Sequence, residues 1–172
     1  QVNSHASGLG PTGSEQLPST RAGWRWPVSS IANFGQITRL DPTLLDTLRH
    51  VLLKTNALLW LAAPGPLPRL RAELAALGIH QRSRCIISPR LGWQAYAARA
   101  AVATLYVDTF HYNSHTTTVD MLWAGTPAVS TIGGSFTARV GAAVSRAAGI
   151  PDTAAMSLRQ YSMTVQTLTG VG

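Results

Sequence analysis

Most of the side chains in this sequence that could do chemistry are gathered in one stretch, Asp108-Thr109-Phe110-His111-Tyr112-Asn113-Ser114-His115-Thr116-Thr117-Thr118-Val119-Asp120. A short apolar run, Thr104 to Val107, spills into a polar loop, and the loop enters an apolar-periodic segment whose first turn is His-Thr-Thr-Thr. A strand, a loop and a helix N-terminus in that order make a ready anion site. The first backbone N–H groups of a helix have no internal partner, and the helix dipole adds positive potential there. Threonine hydroxyls add further donors for phosphate oxygens. Asp120 follows Thr116 by about one turn, within reach of the hydroxyls of a ribose whose phosphates sit on the helix tip. The chemistry indicated is recognition of a nucleoside diphosphate. A purely structural reading stands beside it, because Ser and Thr are preferred N-caps in helices that bind nothing.

Other candidates carry less. Gly133-Gly134-Ser135 is a second loop entering a helical pattern; it could touch a sugar or phosphate, or be a plain glycine turn. His111 is a loop histidine that could face a sugar or bond to backbone. His5, His50 and His80 have no metal-ligand spacing, and no carboxylate cluster accompanies them, so no metal site is expected. Cys85, the single cysteine, sits in an apolar run and reads as a buried inert thiol; alone it forms no internal disulfide.

The run His115-Thr116-Thr117-x-x-Asp120-x-Leu122-Trp123-Ala124-Gly125-Thr126-Pro127 resembles the signature of the protein O-GlcNAc transferases, which move N-acetylglucosamine from UDP-GlcNAc onto Ser and Thr of proteins. The resemblance runs from about Ile31 to Ala142. Ahead of the signature, Asn33-Phe34-Gly35-Gln36-Ile37-Thr38-Arg39-Leu40-Asp41-Pro42 is similar to the segment that opens the family's nucleotide-binding half. Ser88-Pro89, Asp108-Thr109, Gly133 and Arg139-Val140 fall at matching separations. The resemblance implies that Gln36 and Arg39 contact the diphosphate, that His115, Thr116 and Thr117 cradle it, and that Asp120 holds the ribose. It implies no cofactor beyond the donor sugar nucleotide, and as partners a UDP-sugar and a protein acceptor with Ser or Thr.

Three departures qualify what the resemblance implies. The family's phosphate-binding lysine is Arg39 here, a planar fork in place of a point charge. A lysine that reaches the ribose and a histidine that lies against the uracil are replaced by Trp93 and Tyr96. Tyr96 offers a π-face for a base, and Trp93 offers no cation; both also read as packing residues of one helix. Finally, the family fold resembles two Rossmann-like domains facing across a cleft, and this chain matches the second, so the first domain, with its catalytic histidine and much of the acceptor groove, and the tetratricopeptide repeats have no counterpart. No catalytic base is identified. Two readings therefore stand open: a glycosyltransferase whose UDP-binding half is this chain, and a non-catalytic fragment acting as a nucleotide-sugar-binding or protein-interaction module. A protein O-fucosyltransferase using GDP-fucose is a third, resting on Asp108-Thr109-Phe110 followed by Tyr112.

The elements that must position these residues follow from periodicity. Strands are expected at Ile31 to Phe34, Ala57 to Ala62, Cys85 to Ser88, Thr104 to Val107 and Pro127 to Thr131. Helices are expected at Pro42 to Leu53 with Asp41 as N-cap, Pro68 to Leu77 ending at Gly78, Trp93 to Ala101, His115 to Ala124 and Ser135 to Ala148. Strands alternating with helices predict an α/β fold, a doubly wound parallel sheet of Rossmann-like type, which the resemblance makes one half of a GT-B glycosyltransferase. In such sheets ligands lie beyond the carboxyl ends of the strands, where Gln36, Arg39, His111, His115 and Thr116 all fall.

Composition agrees with one small domain, 172 residues with 45% hydrophobic and 12% charged content. Residues 1–27, rich in Ser, Gly, Pro and Thr, read as a flexible tail on which Trp24 and Trp26 are candidates for docking, and 28–172 as a nucleotide-sugar-binding domain that stops short of the family's final helices. The net charge of +7 is spread over scattered arginines and not clustered with aromatics, which argues against a nucleic-acid surface. There is no run of ~18 apolar residues and no signal pattern. The expectation is a soluble intracellular protein, cytoplasmic or nuclear, with no membrane partner.

Overall fold

The computed structural model describes residues 28–64, 68–79 and 84–170. The expected tail with Trp24 and Trp26, and also His5 and His80, lie outside the described residues. Six parallel strands form the sheet: β1 (Ser30–Asn33), β2 (Leu58–Ala63), β3 (Cys85–Pro89), β4 (Leu105–Val107), β5 (Ala128–Thr131) and β6 (Ala154–Ala155), in the order β3-β2-β1-β4-β5-β6. This is the Rossmann-like, doubly wound arrangement the alternation predicts. The chain first winds outward from β1 to β3 and then restarts at β4 on the other side of β1. The switch point between β1 and β4 is where loops diverge and leave a crevice.

Because the strands are parallel, helices must cover both faces, and the apolar runs alternate between two cores. Ile31, Leu59, Leu61, Leu105 and Val107 point into one. That core is closed by α1 (Pro42–Lys54), α2 (Pro68–Ala76) and α6 (Leu158–Leu168) through Leu44, Leu48, Leu74 and Tyr161. Ala32, Ala62 and Tyr106 point into the other, against α3 (Trp93–Val102) and α4 (His115–Trp123) through Ala100 and Met121. The fifth helix, α5 (Val140–Ala147), packs on β5 and beside α4. Cys85 is fully buried in the first core, and burial pushes its thiol up to about 12, so it stays protonated and inert.

Local signals set the helix ends. Asp41 accepts from Leu44 N at 3.0 Å and Pro42 takes the first helical position of α1. Gly78, at φ 73°, closes α2 with Gly78 N donating to Ala75 O and Ile79 N to Leu74 O. Among the described residues no helix is long and apolar enough to cross a membrane.

One expectation needs correction. The helix expected over Ser135 to Ala148 begins only at Val140. Residues 133–139 instead close on themselves: Gly133 N donates to Ala138 O at 2.8 Å, Ala138 N to Ser135 O at 3.2 Å, and Arg139 Nε to Gly133 O at 2.6 Å. A Cβ on Gly133 would collide with Ala138 Cβ, so the loop needs the glycine to close. Beyond α5 the chain continues. It adds β6 against β5 and then α6, whose N-cap Ser157 accepts from Gln160 N at 3.2 Å.

Candidate functional site

At the switch point lies a polar cleft of about 310 Å³. Its floor and one wall follow β1: Phe34, Gly35, Gln36 and Arg39, the last three in or beside a single 3-10 turn over Ile37–Arg39. The facing wall follows β4 and enters α4: Tyr112, His115, Thr116 and Thr117. Arg90, just past β3, completes it. Five of the seven residues expected at a nucleotide site, Gln36, Arg39, His115, Thr116 and Thr117, are thus brought to one place. Among the described residues no aspartate or glutamate lines the cleft.

The loop between β4 and α4 is held from beneath by a buried carboxylate. Asp108 Oδ1 accepts from Thr109 N at 2.9 Å and Ser114 N at 2.7 Å, and Oδ2 accepts from Ser130 Oγ at 3.0 Å. Tyr161 Oη donates to Asp108 O at 2.9 Å, so α6 braces the same point. Burial raises the Asp108 pKa to about 6 although the two amides and two serine hydroxyls pull it down. Asn113, also buried, clamps the rest of the loop: Nδ2 donates to Thr109 O at 2.7 Å and Oδ1 accepts from Gly141 N at 3.1 Å.

Gly141 belongs to this arrangement. A Cβ there would collide with Asp108 Oδ2 and Ser130 Oγ, both fully buried. Gly141→Ala gains roughly 1 kcal/mol of helix propensity but overpacks a rigid polar cluster, and a net loss of about 1 to 2 kcal/mol is expected in urea unfolding. An unchanged or higher midpoint would show that the cluster yields.

The tip of α4 is left without a side-chain cap. Ser114 occupies the N-cap position, but its hydroxyl makes no capping bond and accepts instead from Tyr106 Oη at 2.7 Å. The first-turn amides therefore face the cleft with no side-chain partner, the arrangement in which a helix N-terminus binds anions. Around it the aromatic rings are stacked in order. Arg39 lies over the Tyr112 ring at 4.1 Å and its Nη1 donates to Asn113 O at 3.2 Å. Tyr112 stacks on His115 with centroids 5.2 Å apart, and Phe136 meets His115 edge-on at 6.3 Å. His115 Nε2 is buried and has no hydrogen-bond partner among the described residues.

The other two expected residues, Tyr96 and Asp120, do not line the cleft but adjoin Thr117, which does. Tyr96 packs edge-on against Phe34 at 6.4 Å in the second core. Its Oη is buried and makes no hydrogen bond of good geometry, though Asp120 and Thr117 adjoin it; burial first, then the Asp120 charge, raise the phenol to about 12. Trp93 is 64% exposed with its ring 5.9 Å from that of Tyr96, and His111 is exposed on the loop. The Gly133-Gly134-Ser135 segment enters a turn and none of its residues lines the cleft. Among the described residues no group of three His, Cys, Asp or Glu could hold a metal ion.

Two lining residues escape reasoning from the motif alone, Tyr112 and Arg90. Tyr112 lies in the loop three residues before α4, singled out in the sequence only within the Asp108-Thr109-Phe110 resemblance. Arg90 was legible in principle, since it follows a strand at the carboxyl edge, where ligands of such sheets lie.

Comparison with known proteins bears on this geometry. The model of the family described as "Glycosyl transferase family 41" matches residues 1–170. A curated relative, the UDP-N-acetylglucosamine–peptide N-acetylglucosaminyltransferase of Caenorhabditis elegans, is 30% identical over 151 residues, covering 84% of this chain and 13% of that protein. This chain thus spans a small part of the relative's length. Among solved structures, a Thermobaculum terrenum O-GlcNAc transferase mutant superposes with a TM-score of 0.79 at 24% identity, over 86% of this chain and 30% of that one. WaaG, a glycosyltransferase involved in lipopolysaccharide biosynthesis, superposes with a TM-score of 0.60 at 15% identity, over 83% and 38%. Both superpositions establish the fold.

Proposed function

The chain belongs to glycosyl transferase family 41, and from that premise we propose that its cleft holds UDP-N-acetylglucosamine as donor for transfer of N-acetylglucosamine to serine and threonine of proteins. The observation that carries this reading is the uncapped first turn of α4, which shares with Arg39 a polar cleft that no carboxylate lines among the described residues. Fixed donors and a cation without a competing anion suit a diphosphate, and little else of that size. The choice of sugar and of a protein acceptor is supported by the name of the Caenorhabditis elegans relative.

In this reading residues 28–172 are the nucleotide-sugar-binding domain. The diphosphate lies on the Thr116 and Thr117 end of α4, with Arg39, Gln36 and His115 around it, and Asp120 takes the ribose. During transfer the bond between the anomeric carbon and the β-phosphate oxygen breaks, and a bond from the acceptor hydroxyl to that carbon forms on the opposite face. Negative charge grows on the departing phosphate, and preorganised donors aimed at growing charge are the larger part of catalysis at many sites. The hydroxyl proton leaves to a base, and no residue of this chain is assigned that role; a domain facing the cleft supplies it. Tyr96, which lies beside Asp120 and Thr117, is the ring proposed to offer a face to the base.

Titration calorimetry of the chain with UDP, and with GDP for comparison, tests the reading. Micromolar UDP binding is expected, weakened about tenfold by Asp120→Asn. Binding of neither nucleotide, or preference for GDP, would overturn it. A second reading, a module that binds the nucleotide sugar without transferring it, is favoured by Trp93, an exposed indole where the resemblance has a lysine. Transfer to a serine-containing peptide decides between them.

A further inference from the structure

We propose that Arg90 is the second cation of the cleft and that it makes the cleft selective for a nucleoside diphosphate over the monophosphate. The proposal rests on the nucleotide reading above and extends it to a residue outside the motif.

Arg39 is already committed on two sides. Its guanidinium lies over the Tyr112 ring at 4.1 Å and its Nη1 donates to Asn113 O at 3.2 Å. The N–H groups left to it can fork onto one phosphate, and two adjacent phosphates carry more charge than one such fork can meet. Among the described residues Arg90 is the other cation lining the cleft, and it makes no hydrogen bond or ion pair with any of them. With no carboxylate lining the cleft, its field is not cancelled there.

Its mounting is rigid although the side chain is exposed. Pro89 pairs with Ala63 at the end of β3, and Pro89 O accepts from Arg99 Nη1 at 2.8 Å. The same Nη1 donates to Ser88 Oγ at 2.9 Å, which also accepts from Trp60 Nε1 at 3.1 Å. Arg99 is itself buried against Phe34, whose ring lies 4.2 Å from its guanidinium carbon, so the strand end is tied to the floor of the cleft. In the sheet order, β3 stands two strand spacings from β1, about 10 Å. Arg39 follows β1 and Arg90 follows β3, and both line the one cleft that the α4 tip also lines. A phosphate on the first turn of α4 meets Arg39, and the next phosphate along meets Arg90.

The test compares UDP and UMP binding to the unaltered chain and to Arg90→Gln by titration calorimetry, with circular dichroism confirming the fold. The unaltered chain is expected to prefer UDP. Arg90→Gln is expected to weaken UDP roughly tenfold and to leave UMP within about twofold, collapsing the preference. A UDP-to-UMP ratio that is the same in both proteins overturns the role of Arg90 alone, as does an equal loss for both nucleotides. Failure of the unaltered chain to bind either nucleotide overturns the nucleotide reading, and this proposal with it.

Discussion

Asp108→Ala is expected to cost about 3 to 5 kcal/mol of folding stability, the largest effect of any single side chain at the site. The carboxylate is fully buried and serves three donors, Thr109 N, Ser114 N and Ser130 Oγ. Alanine leaves all three without their acceptor, each at roughly 1 to 3 kcal/mol, and opens a void between β4, β5 and α5. Asp108→Asn isolates the charge from the hydrogen bonds. Its amide oxygen still accepts from both backbone amides, and its NH₂ can donate to Ser130 Oγ. The folded-state pKa of about 6 lies above the ordinary carboxylate value of 3.8. The folded chain therefore holds this proton more tightly than the unfolded chain, and the group's contribution to stability is greatest below about pH 4 and falls as pH rises through about 6. Asp108→Asn should accordingly look better at high pH, gaining about 1 to 1.5 kcal/mol relative to the unaltered chain between pH 5 and pH 7.5. Urea unfolding at the two values measures it, and a difference that does not move with pH would mean the carboxylate is already ionised at pH 5.

Why this aspartate matters was only partly written in the sequence. The five longer strands and the first four helices were legible because each has a local cause: a continuous apolar run for β2, an Asp41-Pro42 start for α1, a positive-φ glycine at 78 or 125 for an end. The site at the carboxyl edge was legible for the same reason, since strand and loop order alone put Arg39 and His115 there. Tyr161 was not legible. It lies in an amphipathic segment whose start signal, Ser157 followed by Gln160, is local, but its function is tertiary: its ring meets Phe110 at 5.0 Å and its hydroxyl fixes Asp108 O. β6 is two alanines paired on β5, too short for any periodicity to mark. The late start of α5 depends on a loop closing on Gly133, a contact between residues five apart that helix propensity does not register. Tyr96 was read from its type as a face for a base; what decides its place is Phe34, Asp120 and Thr117, brought in from two other elements.

Arg39→Ala is expected to weaken UDP binding by about 30- to 150-fold, or roughly 2 to 3 kcal/mol, while moving the unfolding midpoint little. The binding loss is large because the side chain is held before the ligand arrives. The Asn113 carbonyl and the Tyr112 ring fix its guanidinium, so little rotamer entropy remains to be lost on contact with phosphate. The stability loss is small because Arg39 is only half-buried and its one hydrogen bond, to the Asn113 carbonyl, has a water-accessible alternative. Arg39→Lys separates charge from geometry. An ammonium keeps the charge but cannot hold the Asn113 carbonyl, stack flat on Tyr112 and present a fork to phosphate together, so a loss of about tenfold is expected, between the unaltered chain and alanine. Tyr112→Leu should shift Arg39 in the same direction by releasing one face of its guanidinium, with part of the effect passing through His115, which also stacks on that ring. If lysine binds UDP as tightly as arginine, the positive charge is what the diphosphate meets and the column of Arg39, Tyr112 and His115 is packing. If lysine is as weak as alanine, the fork itself, and not the charge, is what the diphosphate meets.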